Sequence, residues 1–167
     1  MLIRIIMGVV FSAIQPHLKH LPLHFSTAEC LFIAFALVYL SKVLHVSLSY
    51  MLDGKYDMVQ AGYRSGGGAV ITHKAVSRAY NAHCNAIEAF VGFSVAVLLA
   101  LKLKGDSEEL RVLANAFVYI RLVYNGVYII AENSALAVVR SAVFTVGMVF
   151  VLKIFSLAVG GVVAKIF

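Results

Sequence analysis

Charged residues are scarce in this chain of 167 residues: only 13% are Asp, Glu, Lys or Arg, whereas 62% are hydrophobic. A soluble domain of this length carries about twice that share of charge, so the composition excludes an ordinary water-soluble protein. Cysteine is also scarce, since Cys30 and Cys84 lie in apolar stretches and neither belongs to a CxxC pair. Such cysteines usually behave as small hydrophobic residues, while a nucleophilic role for Cys84 stays open.

The abundant apolar residues form four stretches, each about as long as the 20 residues that a helix needs to cross a bilayer. The predicted spans are 28–50, 78–101, 110–131 and 134–160. Because backbone groups in lipid must be hydrogen-bonded within their own segment, these spans predict an all-α integral membrane protein. Short connections favour a left-handed, antiparallel four-helix bundle over residues 28–160, between a short N-terminal apolar segment at 1–27 and a tail at 161–167.

Residues typical of helix N-caps precede three of the spans: Ser26 with Glu29, Asp106 with Glu109, and Asn133 or Ser134. The first two pairs have the spacing of a capping box. Residues 51–77 contain turn-forming glycines and no sustained periodicity, so they are predicted to form the one long loop. The membrane face that carries this loop is called the loop side below.

The first 25 residues allow more than one interpretation. The apolar stretch at 1–14 favours an interfacial or half-inserted helix, and a cleaved signal or an organelle-targeting segment is the alternative. Three histidines follow at ligand-like spacing: His17, His20 and His24. Prolines interrupt this stretch and no acidic or cysteine partner lies close by, so an exposed cluster is favoured and no metal site is assigned.

Four polar residues interrupt the second span at positions i, i+3, i+7 and i+10: Arg78, Asn81, Asn85 and Glu88. This spacing puts them on one stripe of a helix, facing the same neighbour. A charge inside hydrocarbon costs about 3 kcal/mol even on lenient insertion scales, so an intramembrane ionisable residue indicates a site with a partner.

Polar residues of the third and fourth spans lie in the same half of the bilayer: Arg121, Tyr124, Tyr128 and Arg140. At about 1.5 Å rise per residue, Glu88 and Arg121 lie at similar depths, which predicts a buried ion pair between them. Arginines beside hydroxyls and amides suit a small anion, so a polar pocket open to the loop side is predicted. The alternatives are a purely structural pair, interfacial tyrosines and an Arg78 that extends to the headgroups.

The same residues resemble a known family, the MAPEG proteins, or membrane-associated proteins in eicosanoid and glutathione metabolism. The segment from Arg78 to Phe90 is similar to the second-helix signature of that family. Three other stretches are similar to its remaining motifs: Arg121-x-x-Tyr124-x-x-x-Tyr128, Arg140-Ser141 and Gly54-Lys-Tyr56-Asp57. Asn81 stands where catalytic members commonly have an arginine, so the chain looks more like the less characterised, largely bacterial-type branch.

This resemblance implies a homotrimer that holds glutathione, as co-substrate, between neighbouring protomers near the cytosolic side. By motif, Asn85 and Glu88 would bind the backbone and amino group of the tripeptide. The other implied glutathione-binding residues are Arg78, Asn81, Arg121, Tyr124 and Tyr128. Arg140 with Ser141 would lie nearest the sulfur and perform catalysis, since a guanidinium or hydroxyl nearby stabilises a thiolate.

Three functions follow from these observations. The first is a glutathione-dependent transferase or peroxidase that acts on lipophilic electrophiles or hydroperoxides. The second is a non-catalytic membrane protein that binds lipid or a partner, and the third is a pathway for a small solute or protons. The net charge of +6 is dispersed among loops and helix ends, which argues against nucleic acid and favours membrane lipid as a partner.

Overall fold

The computed structural model describes residues 9, 12, 25–54 and 73–160. Within residues 25–54 and 73–160 it has four helices: α1 (Thr27–Leu52), α2 (Lys74–Lys104), α3 (Glu108–Ile130) and α4 (Ser134–Ala158). All four are long and apolar enough to cross a membrane, which confirms the predicted four-helix membrane bundle. The predictions for the N-terminal segment, the Tyr56-Asp57 motif and the tail fall almost entirely outside the described residues, and the left-handed twist stays a prediction.

The second helix is longer at both ends than its apolar stretch suggested. It begins at Lys74 instead of 78 and ends at Lys104 instead of 101. No glycine or proline interrupts residues 73–78, so nothing prevents the helix from beginning before its apolar stretch. At the other end, Lys102 and Lys104 lie in the last turn, where basic side chains interact favourably with the helix dipole.

Two of the three predicted caps are confirmed. The Ser26 hydroxyl accepts a hydrogen bond from the Glu29 backbone N–H, and the Glu29 carboxylate accepts one from the Ser26 N–H at 2.7 Å. The Asn133 side chain caps α4 by accepting a hydrogen bond from the Leu136 N–H at 2.9 Å. These local contacts fix where α1 and α4 begin.

The cap predicted for α3 is wrong. The N-cap is Ser107, whose hydroxyl accepts a hydrogen bond from the Leu110 N–H at 3.2 Å. Asp106 instead accepts a hydrogen bond from the Thr27 hydroxyl at 2.6 Å. A tertiary partner at the start of α1 therefore uses the carboxylate that local spacing had assigned to the cap.

The two central helices of the bundle are α2 and α3, because α1 and α4 each pack against both of them. The inner face of α2 consists mainly of small residues: Ala79, Ala82, Ala86, Ala89, Ala96 and Ala100. Small side chains let helix backbones approach closely in lipid. The Phe93 and Phe117 rings stack between α2 and α3 with centroids 4.1 Å apart. Large apolar residues such as Phe32, Met51 and Val138 cover the outer faces.

Asn115, in the first half of α3, anchors the chain just before α1. Its amide donates a hydrogen bond to the Phe25 carbonyl at 2.7 Å and accepts one from the Phe25 N–H at 2.9 Å. Asn115 is 3% exposed and Phe25 is half-buried, so the amide satisfies both backbone groups of Phe25 where water has little access.

Asn115→Ala is expected to lower the free energy of unfolding by about 1–3 kcal/mol, because it leaves two backbone groups without partners. Thermal unfolding in mild detergent measures this change. Val123→Ala, at a site that is 52% exposed, is the control and is expected to have little effect. Equal stability of the two variants would contradict the anchoring role.

Candidate functional site

Three residues of α3 form the centre of the predicted site. Arg121, Tyr124 and Tyr128 recur at i, i+3 and i+7, and all three are buried. The two tyrosines pack against Ala82 of α2 and against partly buried apolar residues of α4. The structure therefore brings these residues together where α2, α3 and α4 meet.

In this cluster two tyrosine rings in contact lie between two arginines. The Arg121 guanidinium lies 4.3 Å from the centroid of the Tyr124 ring, and the Arg140 guanidinium lies 4.6 Å from that of Tyr128. The two tyrosine rings meet edge to face at 5.5 Å. Each cation–ring contact is worth about 0.5–2 kcal/mol, depending on how far it is removed from water. Arg140 thus joins α4 to the tyrosines of α3.

The predicted ion pair between Arg121 and Glu88 is wrong. Arg121 is 5% exposed and donates from Nη2 to the Asn85 backbone carbonyl at 3.1 Å. The contacts of Arg78 with Ile129 and of Asn85 with Arg121 fix the register of α2 against α3. Glu88 lies almost one turn beyond Asn85 and is exposed, so its carboxylate belongs to the outer surface of the protomer.

The polar stripe of α2 therefore does not face a single neighbour within the protomer. Asn81 and Glu88 are exposed, whereas Asn85 is half-buried. The Asn85 amide donates to the Asn81 backbone carbonyl at 2.8 Å, one turn back along the helix. This bond gives the Asn85 amide a local partner, and the carboxylate of Glu88 faces outward.

Arg78 lies apart from the cluster, at the loop side. Its Nε donates to the Ile129 carbonyl at 2.8 Å, and its Nη2 forms an ion pair with Glu132 at 2.9 Å. The Arg78 side chain is 17% exposed and that of Glu132 is 74% exposed. Arg78 thus ties the start of α2 to the end of α3.

Ser141 follows Arg140 but lies at the surface of α4. It is exposed, and its hydroxyl donates to the Ala137 carbonyl at 3.1 Å. Arg140 is half-buried against the Tyr128 ring. Arg140 therefore faces the buried cluster, whereas Ser141 faces the outside of the bundle.

A second buried polar group, on α1, was missed by the sequence analysis. Ser41, His45 and Ser49 are all buried. The His45 ring packs against Tyr80 of α2 with centroids 5.3 Å apart, and the Asn125 amide of α3 donates to the Ser41 hydroxyl at 3.2 Å. The signal was present, because a spacing of four residues puts three polar side chains on one helix face.

The architecture and the site define an integral, multi-pass membrane protein in which Arg121 and Arg140, on helices long and apolar enough to span the bilayer, lie against tyrosine rings. The profile of the MAPEG family matches residues 27–160, and the chain belongs to that family. Comparisons with curated proteins and with solved structures gave no match. Among the described residues, no group of three His, Cys, Asp or Glu side chains is arranged to hold a metal ion.

Arg78→Lys is expected to destabilise the protein by about 1 kcal/mol, because a lysine does not reproduce the bond from Nε to Ile129. Glu132→Gln is expected to cost less than about 0.5 kcal/mol, because Glu132 is exposed. Thermal unfolding of both variants shows which substitution lowers the stability more. A larger effect of Glu132→Gln would show that the ion pair, and not the bond to Ile129, holds these helix ends.

Glu88→Gln and Arg121→Gln are expected to have additive effects on stability, within about 0.5 kcal/mol, because the two side chains do not form a pair. A double-mutant cycle on thermal or denaturant unfolding in detergent measures the coupling. A coupling energy above about 1 kcal/mol would mean that these groups interact directly.

Proposed function

We propose that this protein is a glutathione-dependent membrane transferase or peroxidase that acts on lipophilic electrophiles or hydroperoxides. In the transferase reaction, the glutathione thiol loses its proton and the sulfur displaces the leaving group of the electrophile. In the peroxidase reaction, two glutathione molecules reduce a hydroperoxide to an alcohol and water and form a disulfide. Both reactions need a bound anionic peptide and a stabilised thiolate.

The observation that carries this proposal is the absence of a carboxylate beside two intramembrane arginines. Within residues 25–54 and 73–160, Arg121 and Arg140 form no ion pair, and their recorded contacts are with aromatic rings and a backbone carbonyl. A cation removed from water is costly unless it is paired. A carboxylate of glutathione supplies such a partner, and guanidinium geometry matches it.

The exposed polar groups of α2 and α4 support a site shared between copies of the chain. Asn81, Glu88 and Ser141 are exposed on helices that cross the membrane. Contact with lipid would leave the Glu88 carboxylate unsolvated. A homotrimer with glutathione between protomers covers these groups, with Glu88 bound to the amino group of the peptide. The Arg140 guanidinium and the Ser141 hydroxyl then stabilise the thiolate.

A non-catalytic protein that binds lipid or a partner is the second candidate. The observation in its favour is that Arg121 is 5% exposed and already bonded within its own protomer. Asn81 also favours this candidate, because an amide does not replace the positive charge of the arginine that catalytic members of the family commonly have at that position. Under this alternative the polar cluster determines helix packing only.

Purified trimeric protein in detergent is expected to bind glutathione with saturation in calorimetry and to show thiolate absorbance. Arg140→Ala and Glu88→Gln are each expected to weaken binding by about ten- to a hundredfold, because each removes a charge-assisted bond. Native mass spectrometry of the same sample gives the number of protomers.

The matched controls are Arg111→Ala and Glu109→Gln, which change the same residue types at the opposite membrane face. Arg111 pairs with Glu108 at 3.4 Å, far from the arginine and tyrosine cluster. Both controls are expected to bind glutathione like the wild type. A well-folded trimer that binds no glutathione at millimolar concentration would refute the proposed function and favour the non-catalytic alternative.

A further inference from the structure

A small cavity lies inside the bundle on the α1 side of Arg121. It has a volume of about 10 Å³, measured as space for the centre of a water-sized sphere. That is close to the minimum needed for one buried water molecule. The cavity is lined by residues of three helices: Ala34, Leu37, Ala86, Phe90, Phe117, Arg121 and Asn125. Only Arg121 and Asn125 contribute polar side chains.

The hydrogen bonds of Ser41 determine which end of the Asn125 amide faces the Ser41 hydroxyl. The Ser41 hydroxyl donates its one hydrogen to the Leu37 carbonyl at 2.9 Å, so toward Asn125 it acts as an acceptor. Asn125 must therefore present its Nδ2 donor, which lies 3.2 Å from the Ser41 oxygen. The amide carbonyl, Oδ1, consequently points away from Ser41.

Oδ1 of Asn125 is buried and has no hydrogen-bond partner among the described residues. An unsatisfied amide oxygen in an apolar interior costs about 1–3 kcal/mol. The other polar residue that lines the cavity is Arg121, whose guanidinium carries five N–H donors and no acceptor. A water molecule between them would accept from Arg121 and donate to Asn125.

We infer that Asn125 is a positioning residue for Arg121 and that it acts through one water molecule bound in this cavity. Arg121 is then held from two sides, by the Asn85 carbonyl of α2 and by the water that Asn125 and Ser41 orient. The effect on ligand affinity rests on the proposed function, because Arg121 is there a partner of the bound anion. The water site itself does not depend on that function.

Solid-state NMR of arginine-labelled protein in lipid bilayers tests the water site directly. Magnetisation transfer from water to the Arg121 guanidinium, assigned by its absence in Arg121→Lys, is expected in the wild type. It is expected to be lost in Asn125→Leu, which keeps the volume and removes both polar atoms. Val123→Ala on the lipid-facing side is the control and is expected to retain the transfer.

Ser41→Ala and Ser41→Thr provide a milder pair in case Asn125→Leu does not fold. The alanine variant removes the acceptor that orients the amide and is expected to weaken the transfer, whereas the threonine variant keeps the hydroxyl and is expected to restore it. No transfer in the wild type, or unchanged transfer in Asn125→Leu and Ser41→Ala, would overturn the inference.

The glutathione affinity of the Asn125→Leu variant shows whether Asn125 positions Arg121 or has a purely structural role. Asn125→Leu is expected to weaken binding about three- to tenfold, the effect of one lost hydrogen bond. A lower melting temperature with unchanged affinity and unchanged water transfer would mean that Asn125 only links α1 to α3, and the inference would fail. If the wild type binds no glutathione, the proposed function fails, and the NMR result still decides the water site.

Discussion

The packing of this bundle depends above all on one constraint: the buried guanidinium of Arg121 needs polar or aromatic partners inside an apolar interior. Arg121 is almost fully buried, yet its recorded partners are a backbone carbonyl and an aromatic ring. Neutral groups stabilise a buried cation less than a carboxylate does. The helices around it therefore supply a backbone carbonyl and an aromatic ring at close range. Under the proposed function, an anionic ligand completes the set. The small residues on the inner face of α2 and the edge-to-face contact of Tyr124 with Tyr128 pack around this same centre.

The fold was largely predictable because the bilayer reduces the choices. Apolar length alone defines a spanning helix, and the two confirmed caps, Ser26 and Asn133, bond to backbone groups three residues along the chain. The errors concern tertiary contacts. Asp106 bonds to Thr27, which is remote in sequence, and α2 begins before its apolar stretch because polar residues also continue a helix toward the headgroups. Neither fact can be read from a hydropathy pattern.

The site was predicted as a set of residues but not as a set of contacts. Spacing correctly grouped Arg121, Tyr124 and Tyr128, since three residues on one helix face stay together in any packing. Depth alone then paired Arg121 with Glu88, and this failed because depth along a helix does not specify the direction in which a side chain points. The α1 cluster with His45 was overlooked because its polar residues are spread among apolar ones.

Side-chain hydrogen bonds hold helix ends at both faces of the bundle. At the face opposite the loop, Asn115 and Asp106 hold the start of α1 through buried or half-buried hydrogen bonds. At the loop side, the bonds of Arg78 to Ile129 and to the exposed Glu132 link the start of α2 to the end of α3. Local opening costs least where few buried contacts must break. Opening the start of α1 requires three half-buried hydrogen bonds to break together, so this end of the helix resists fraying more than its capping box alone would allow.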